Sequence, residues 1–127
     1  MTVDCYLGYV VRRETWRVGG QTFHLIWPAD IDGLLDLPDV QERFSKDKYM
    51  PYWAQPWPAG VLLAEAILAG EDGQGRQAVE LGCGIGLVSL AAARMGWSIT
   101  ASDYDEHAIA FARLNAANNN ICLAAAR

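Results

Sequence analysis

A chain of 127 residues with 52% hydrophobic and 20% charged side chains has the size of one folded domain and is too apolar to be disordered. Its formal net charge is −5 and it holds no Lys/Arg-rich run, which argues against a nucleic-acid partner. Cys5, Cys83 and Cys122 share no metal-ligand spacing, Asp4 stands where a signal peptide is apolar, and no apolar stretch reaches about 18 residues. The expectation is a reduced, cytoplasmic protein with no metal and no membrane partner.

Residues 8–27 read as a β-hairpin. Gly19-Gly20 supplies the turn, and Phe23, Leu25 and Trp27 alternate with Thr22, His24 and Ile26. Short helical pieces follow over 29–50, broken at Pro38, with Leu34, Leu35, Leu37, Val40 and Phe44 as expected buried positions. The stretch 50–58, MPYWAQPWP, is too rich in proline for a regular helix. Pro58 then opens a helix to about Ala69, with Val61, Leu62, Ala64 and Leu68 on its apolar face. From Gln77 the pattern becomes strand (77–81), helix (87–95), strand (98–102), helix (106–118, capped by Asp105) and strand (121–126). Such alternation implies a parallel sheet with right-handed crossovers.

The segment with chemical content is VELGCGIG, residues 79–86, where the first parallel strand turns into its helix. Gly82, Cys83, Gly84 and Gly86 form G-x-G-x-G. A tight turn that must also let a ligand approach the backbone leaves little room for Cβ atoms at 82 and 84. The helix that follows, expected from near Ile85, aims its first amides at whatever lies over the loop. Asp103 ends the next strand about 20 residues on, placed to accept both hydrogen bonds of a ribose diol. Glu80, on the strand before the loop, either favours a cationic ligand group or only ties down loop amides. A ribose acid alone does not separate NAD from S-adenosylmethionine. The G-x-G-x-G spacing and the acid beside the loop favour the ammonium and sulfonium of S-adenosylmethionine over a pyrophosphate.

With VELGCGIGLVSLAAARMG, ITASDYD and NAANN in view, the chain resembles class I methyltransferases. More narrowly it resembles the lysine-methyltransferase-like family whose members modify the electron-transfer flavoprotein β subunit. The segment Trp53-Ala54-Gln55-Pro56-Trp57-Pro58 resembles that branch's aromatic lead into the helix before the glycine motif. The resemblance covers residues 50–120 well and 8–49 loosely. It implies an α/β, Rossmann-like class I methyltransferase fold, truncated after about the third parallel strand, with an N-terminal β-hairpin and short helices. Residues 1–49 form the hairpin and helical extension; residues 50–127 form a partial S-adenosylmethionine-binding domain.

The resemblance also implies site residues. Gly82, Cys83 and Gly84 line the methionine end of S-adenosylmethionine, Asp103 holds the ribose, and Trp57 packs at the cofactor's edge. Trp57 and Trp53 are open to a second reading as anchors of an irregular segment, and Tyr104 lies either against the adenine or half-exposed at a strand end. His24 and His107 are read as surface or packing residues. The family's D-x-x-Y-type substrate motif has no counterpart here, so catalytic residues are unassigned. The expected acceptor is a protein lysine rather than a small amine. A non-catalytic cofactor-binding or interaction module and a dinucleotide enzyme fragment remain the alternatives. An open sheet edge is expected to favour self-association.

Overall fold

The computed structural model describes residues 4–127 and contains an antiparallel and a parallel sheet, each of three strands. The first three residues of the 1–49 extension lie outside the described residues.

Strands β1 (Cys5–Tyr6), β2 (Tyr9–Val18) and β3 (Gln21–Pro28) form the antiparallel sheet in that order. The turn between β2 and β3 requires φ of 56° and 77° at Gly19 and Gly20, angles that glycine adopts without a Cβ clash. Phe23, Leu25 and Trp27 are buried, as their alternation predicts. Ile26, predicted on the other face, is buried too. The cause is helix α4 (Glu106–Asn118), which lies along the outer edge of β3. Asn115 accepts from the Ile26 amide at 2.7 Å and donates to the Ile26 carbonyl at 3.0 Å. One turn on, Asn119 does the same for His24, at 2.8 Å in both directions. Two asparagine side chains thus take the place of a further strand and close an otherwise open edge.

Beyond β3, a short 3-10 turn (Asp32–Asp36) leads into α1 (Pro38–Asp47), with Pro38 in the helix's first turn. Of the five positions expected in the core here, only Leu34 is buried; Leu35, Leu37 and Phe44 are exposed and Val40 half-buried. The helix reaches the body of the protein through Arg43, at Asp105, rather than through an apolar face. Residues 50–58 carry one 3-10 turn (Tyr52–Ala54) and no regular helix, as their prolines require. Helix α2 (Pro58–Leu68) starts at its proline but buries fully only Ala64, while Leu62 and Leu63 face outward.

The parallel sheet consists of β4 (Gln77–Leu81), β5 (Ser98–Ser102) and β6 (Ala124–Ala126), in the order β4-β5-β6. Helix α3 (Leu87–Arg94) joins β4 to β5, and α4 joins β5 to β6. The register pairs Glu80 with Ala101 and Leu81 with Ser102. Right-handed crossovers that advance one way along a sheet put their helices on one face. Accordingly Ala101 is buried beneath Ile109 and Ala112 of α4. Val79 and Leu81 point to the other face and are 64% and 82% exposed. This is the Rossmann-like α/β arrangement expected from the sequence. One apolar cluster runs through both halves of the chain, joining Phe23, Leu25 and Trp27 to Trp53, Leu90 and Phe111.

Candidate functional site

The carboxyl ends of β4 and β5 open into a cavity of about 460 Å³, lined by Trp53, Trp57, Glu80, Gly82, Cys83, Gly84 and Asp103, with Tyr49, Tyr104 and Asp105 at one side. The volume suits a ligand of nucleoside-plus-amino-acid size. The glycine loop forms its floor. Gly82 has φ of 69° and Gly84 of 54°, both in the left-handed region that side chains rarely adopt. A Cβ on Gly82 would meet no protein atom within 4 Å, so that side of the loop is open space. A Cβ on Gly84 would come 3.4 Å from the Trp53 carbonyl, so the aromatic segment presses directly on the loop. Helix α3 begins at Leu87, where the predicted range 87–95 starts it, and Gly86 takes φ of 98° as its N-cap. A Cβ there would lie 3.1 Å from that of Ala112, which ties the loop to α4.

Asp103 lies just beyond β5 and its carboxylate joins two turns. One oxygen accepts from the Gly84 amide at 2.9 Å, the other from the Asp105 amide at 2.9 Å. Each carboxylate oxygen has further acceptor capacity, available to hydroxyls in the cavity. Asp105 caps α4 by accepting from the His107 amide at 2.8 Å. Glu80 binds neither loop amide. Its carboxylate accepts from the Ser89 amide at 3.1 Å and the Ser89 hydroxyl at 2.6 Å, in the first turn of α3. Burial raises the Glu80 pKa to about 7, against the opposing effect of the two Ser89 bonds. Burial likewise pushes the Cys83 thiol up to about 12, which keeps it in the protonated form.

This arrangement selects among ligands. The first turn of a helix ordinarily attracts a phosphate through its free amides. Here a protein carboxylate already occupies one of those amides and, when ionised, repels a pyrophosphate. The same carboxylate, ionised, favours a cation. An amino-acid ligand with an ammonium at this end and a ribose at Asp103 fits the donor set; a dinucleotide does not.

Trp57, Glu80, Gly82, Cys83, Gly84 and Asp103, the candidate site residues named from the sequence, line the cavity, though not all in the expected manner. Trp57 is 47% exposed at the mouth, with its indole nitrogen donating to the Tyr52 carbonyl at 2.7 Å. Trp53 is buried, its ring against Phe111 and Tyr9, as an anchor would be. Tyr104 stands exposed at the rim beside the Arg43 guanidinium. His24 and His107 do not line the cavity; His107 shares a 2.6 Å hydrogen bond with the Tyr9 hydroxyl. The sequence reading missed Tyr49 and Ser89. Tyr49 lies one residue outside the aromatic segment singled out, and Ser89 bears no signature separating it from any helical serine.

The family model for ribosomal protein L11 methyltransferase (PrmA) matches residues 63–126. The electron transfer flavoprotein beta subunit lysine methyltransferase of Danio rerio is 40% identical over 73 residues, covering 56% of this chain and 28% of that protein. The 23S rRNA (uracil(1939)-C(5))-methyltransferase RlmD of Acidithiobacillus ferrooxidans is 28% identical over 104 residues, covering 81% of this chain and 24% of its own. The fold is similar to that of the T. thermophilus 16S rRNA N2 G1207 methyltransferase RsmC, solved with AdoMet and guanosine. That likeness has a TM-score of 0.63 at 21% identity, over 91% of this chain and 27% of that one. The chain thus spans about a quarter of the length of the relatives it matches. With the glycine loop, the acid after β5 and the order of strands and helices all in agreement, the chain belongs to the ribosomal protein L11 methyltransferase (PrmA) family of class I methyltransferases.

Proposed function

We propose that the chain carries the S-adenosylmethionine-binding part of a methyltransferase that N-methylates a protein lysine. The observation that carries this reading is the meeting, in one cavity, of an open glycine floor with two acids at separate places, Glu80 under α3 and Asp103 after β5. In the complex Asp103 accepts from the ribose hydroxyls, ionised Glu80 favours the ammonium, and Gly82, Cys83 and Gly84 let the methionine portion lie against the backbone. Trp57 covers the mouth. Bound S-adenosylmethionine supplies an electrophilic methyl on its sulfonium. Holding reactants in line contributes on the order of 7–11 kcal/mol to such a displacement, which suits a site built for positioning. No residue of this chain is assigned the removal of the lysine proton.

A protein acceptor is supported by the lysine methyltransferase name of the Danio rerio relative and by the net charge of −5. The RNA methyltransferase names of the A. ferrooxidans and T. thermophilus proteins give the competing acceptor. Transfer of labelled methyl into protein but not RNA supports the first; label in RNA alone overturns it. A cytoplasmic setting belongs to the same reading, supported by Cys5, Cys83 and Cys122 standing free of disulfides. Among the described residues no helix is long and apolar enough to cross a membrane. The reading also keeps 1–49 as an extension to a partial cofactor domain over 50–127, and includes self-association at the open edge of β4.

The cofactor assignment is tested by calorimetric titration of S-adenosylmethionine and of NAD into the chain and into Asp103→Ala. Binding of S-adenosylmethionine alone, weakened at least tenfold in the variant, is expected, since a hydrogen bond to a charged group contributes about 1.5–3 kcal/mol. Binding of NAD, or of neither ligand, would sink the reading.

A further inference from the structure

We propose that Tyr49 is a positioning residue for the ribose end of the cofactor, acting through Asp105 on the turn that carries Asp103. The proposal rests on reading the cavity as an S-adenosylmethionine site and assigns to the N-terminal extension a part in building it.

Helix α1 ends at Asp47, and its C-cap Lys48, with a left-handed φ of 62°, turns the chain back and brings Tyr49 to the cavity wall. The Tyr49 hydroxyl donates to Asp105 Oδ2 and accepts from the Trp53 indole nitrogen at 3.2 Å. The Arg43 guanidinium lies 3.5 Å from the centre of the Tyr49 ring and 3.5 Å from the same Asp105 oxygen. Asp105 is a buried carboxylate, and such a group is kept only with partners. Tyr49 and Arg43 are the partners of Oδ2, while Oδ1 caps α4.

The bonds continue inward. The Asp105 amide donates to Asp103 Oδ1, and Asp103 Oδ2 accepts from the Gly84 amide. A hydrogen-bonded chain therefore runs Trp53–Tyr49–Asp105–Asp103–Gly84 from the aromatic segment to the glycine loop. Burial, reinforced by the bond to Asp105, holds the Tyr49 phenol well above its ordinary pKa, so it stays a donor throughout the useful pH range. The two oxygens that meet the ribose sit on a turn whose far side is fixed by a residue of the extension. Pre-ordering such a turn improves affinity by removing the cost of ordering it on binding.

The signature of this role is coupling between Tyr49 and the ribose hydroxyls, which a merely structural residue does not show. S-adenosylhomocysteine and its 2′-deoxyribose analogue are titrated into the chain, into Tyr49→Phe and into Arg43→Gln, with the melting temperature of each recorded. In the unaltered chain the 2′-hydroxyl is expected to improve affinity tenfold or more. In Tyr49→Phe that ratio is expected to fall at least threefold, and in Arg43→Gln to fall in the same direction. Should Tyr49→Phe fail to fold, Arg43→Gln, whose side chain is partly exposed, decides the matter alone. An unchanged ratio, even where both ligands bind more weakly, overturns the proposal while leaving the cofactor reading intact. Failure of the unaltered chain to bind S-adenosylhomocysteine overturns both.

Discussion

Glu80 shows how one side chain links stability, pH and ligand choice. Its pKa is raised from 4.5 to about 7 by burial, so the folded protein holds a proton on it that the unfolded chain has released over that interval. Stability without ligand is therefore expected to fall as pH rises from about 4.5 to about 7 and then to level, by on the order of 3 kcal/mol at most. Cofactor affinity is expected to move the opposite way, rising toward pH 7 and then levelling, because the ammonium is favoured by the ionised carboxylate. Urea melts and titrations between pH 5 and 8 read both slopes, and Glu80→Gln flattens them together. An affinity independent of pH in the unaltered protein would remove Glu80 from the ammonium's neighbourhood. At this scale the sequence was informative where chemistry restricts the residue type. Gly82 and Asp103 stand out because a left-handed turn and a ribose acid leave few choices. Tyr49 and Ser89 do not stand out, because their roles arise from which segments the fold brings beside them.

Between elements, the edge of β3 is closed by Asn115 and Asn119, and Asn115 also donates to the Ile85 carbonyl of the glycine loop at 2.9 Å. Asn115 is fully buried, and its loss would leave the Ile26 amide and carbonyl and the Ile85 carbonyl without that partner. Asn115→Ala is expected to cost about 3–5 kcal/mol, given about 1–3 kcal/mol for each buried group left unsatisfied. Asn119→Ala leaves the same helix intact and opens the edge only at His24, so a smaller loss is expected. Urea midpoints for the two variants measure this; equal and negligible effects would mean the hairpin is held by its apolar face alone. The bounds of β5 and α4 were readable because their signals are local, an apolar run and the Asp105 cap. The burial of α1 was not readable, since its periodic Leu37, Val40 and Phe44 say which face is apolar but not whether anything covers it. NAANN was visible as a motif, yet its partner edge lies some 90 residues earlier in the chain, beyond the reach of any local pattern.

Within the described residues, the parallel sheet is covered on one face. Parallel strands are ordinarily buried on both sides, since their helical connections leave no solvated face. Here Val79 and Leu81 stand outward on β4, and among the described strands β4 pairs with β5 alone. Leu62 and Leu63 of the exposed side of α2 add further apolar surface. An unpaired edge beside an apolar face offers both the hydrogen bonds and the burial that draw in another chain. Self-association that grows with concentration is therefore expected on sedimentation or light scattering. Replacing Val79 and Leu81 with lysine should shift the chain toward monomer without unfolding it, because both side chains already face solvent and charge on an edge opposes pairing. A strictly monomeric species that melts cooperatively at low concentration would show that the open face is tolerated, and that the core shared between hairpin and sheet stabilises the fold without it. A monomer obtained only in the lysine variant would instead place the association at β4, beside the glycine loop, where it would also limit access to the cofactor cavity.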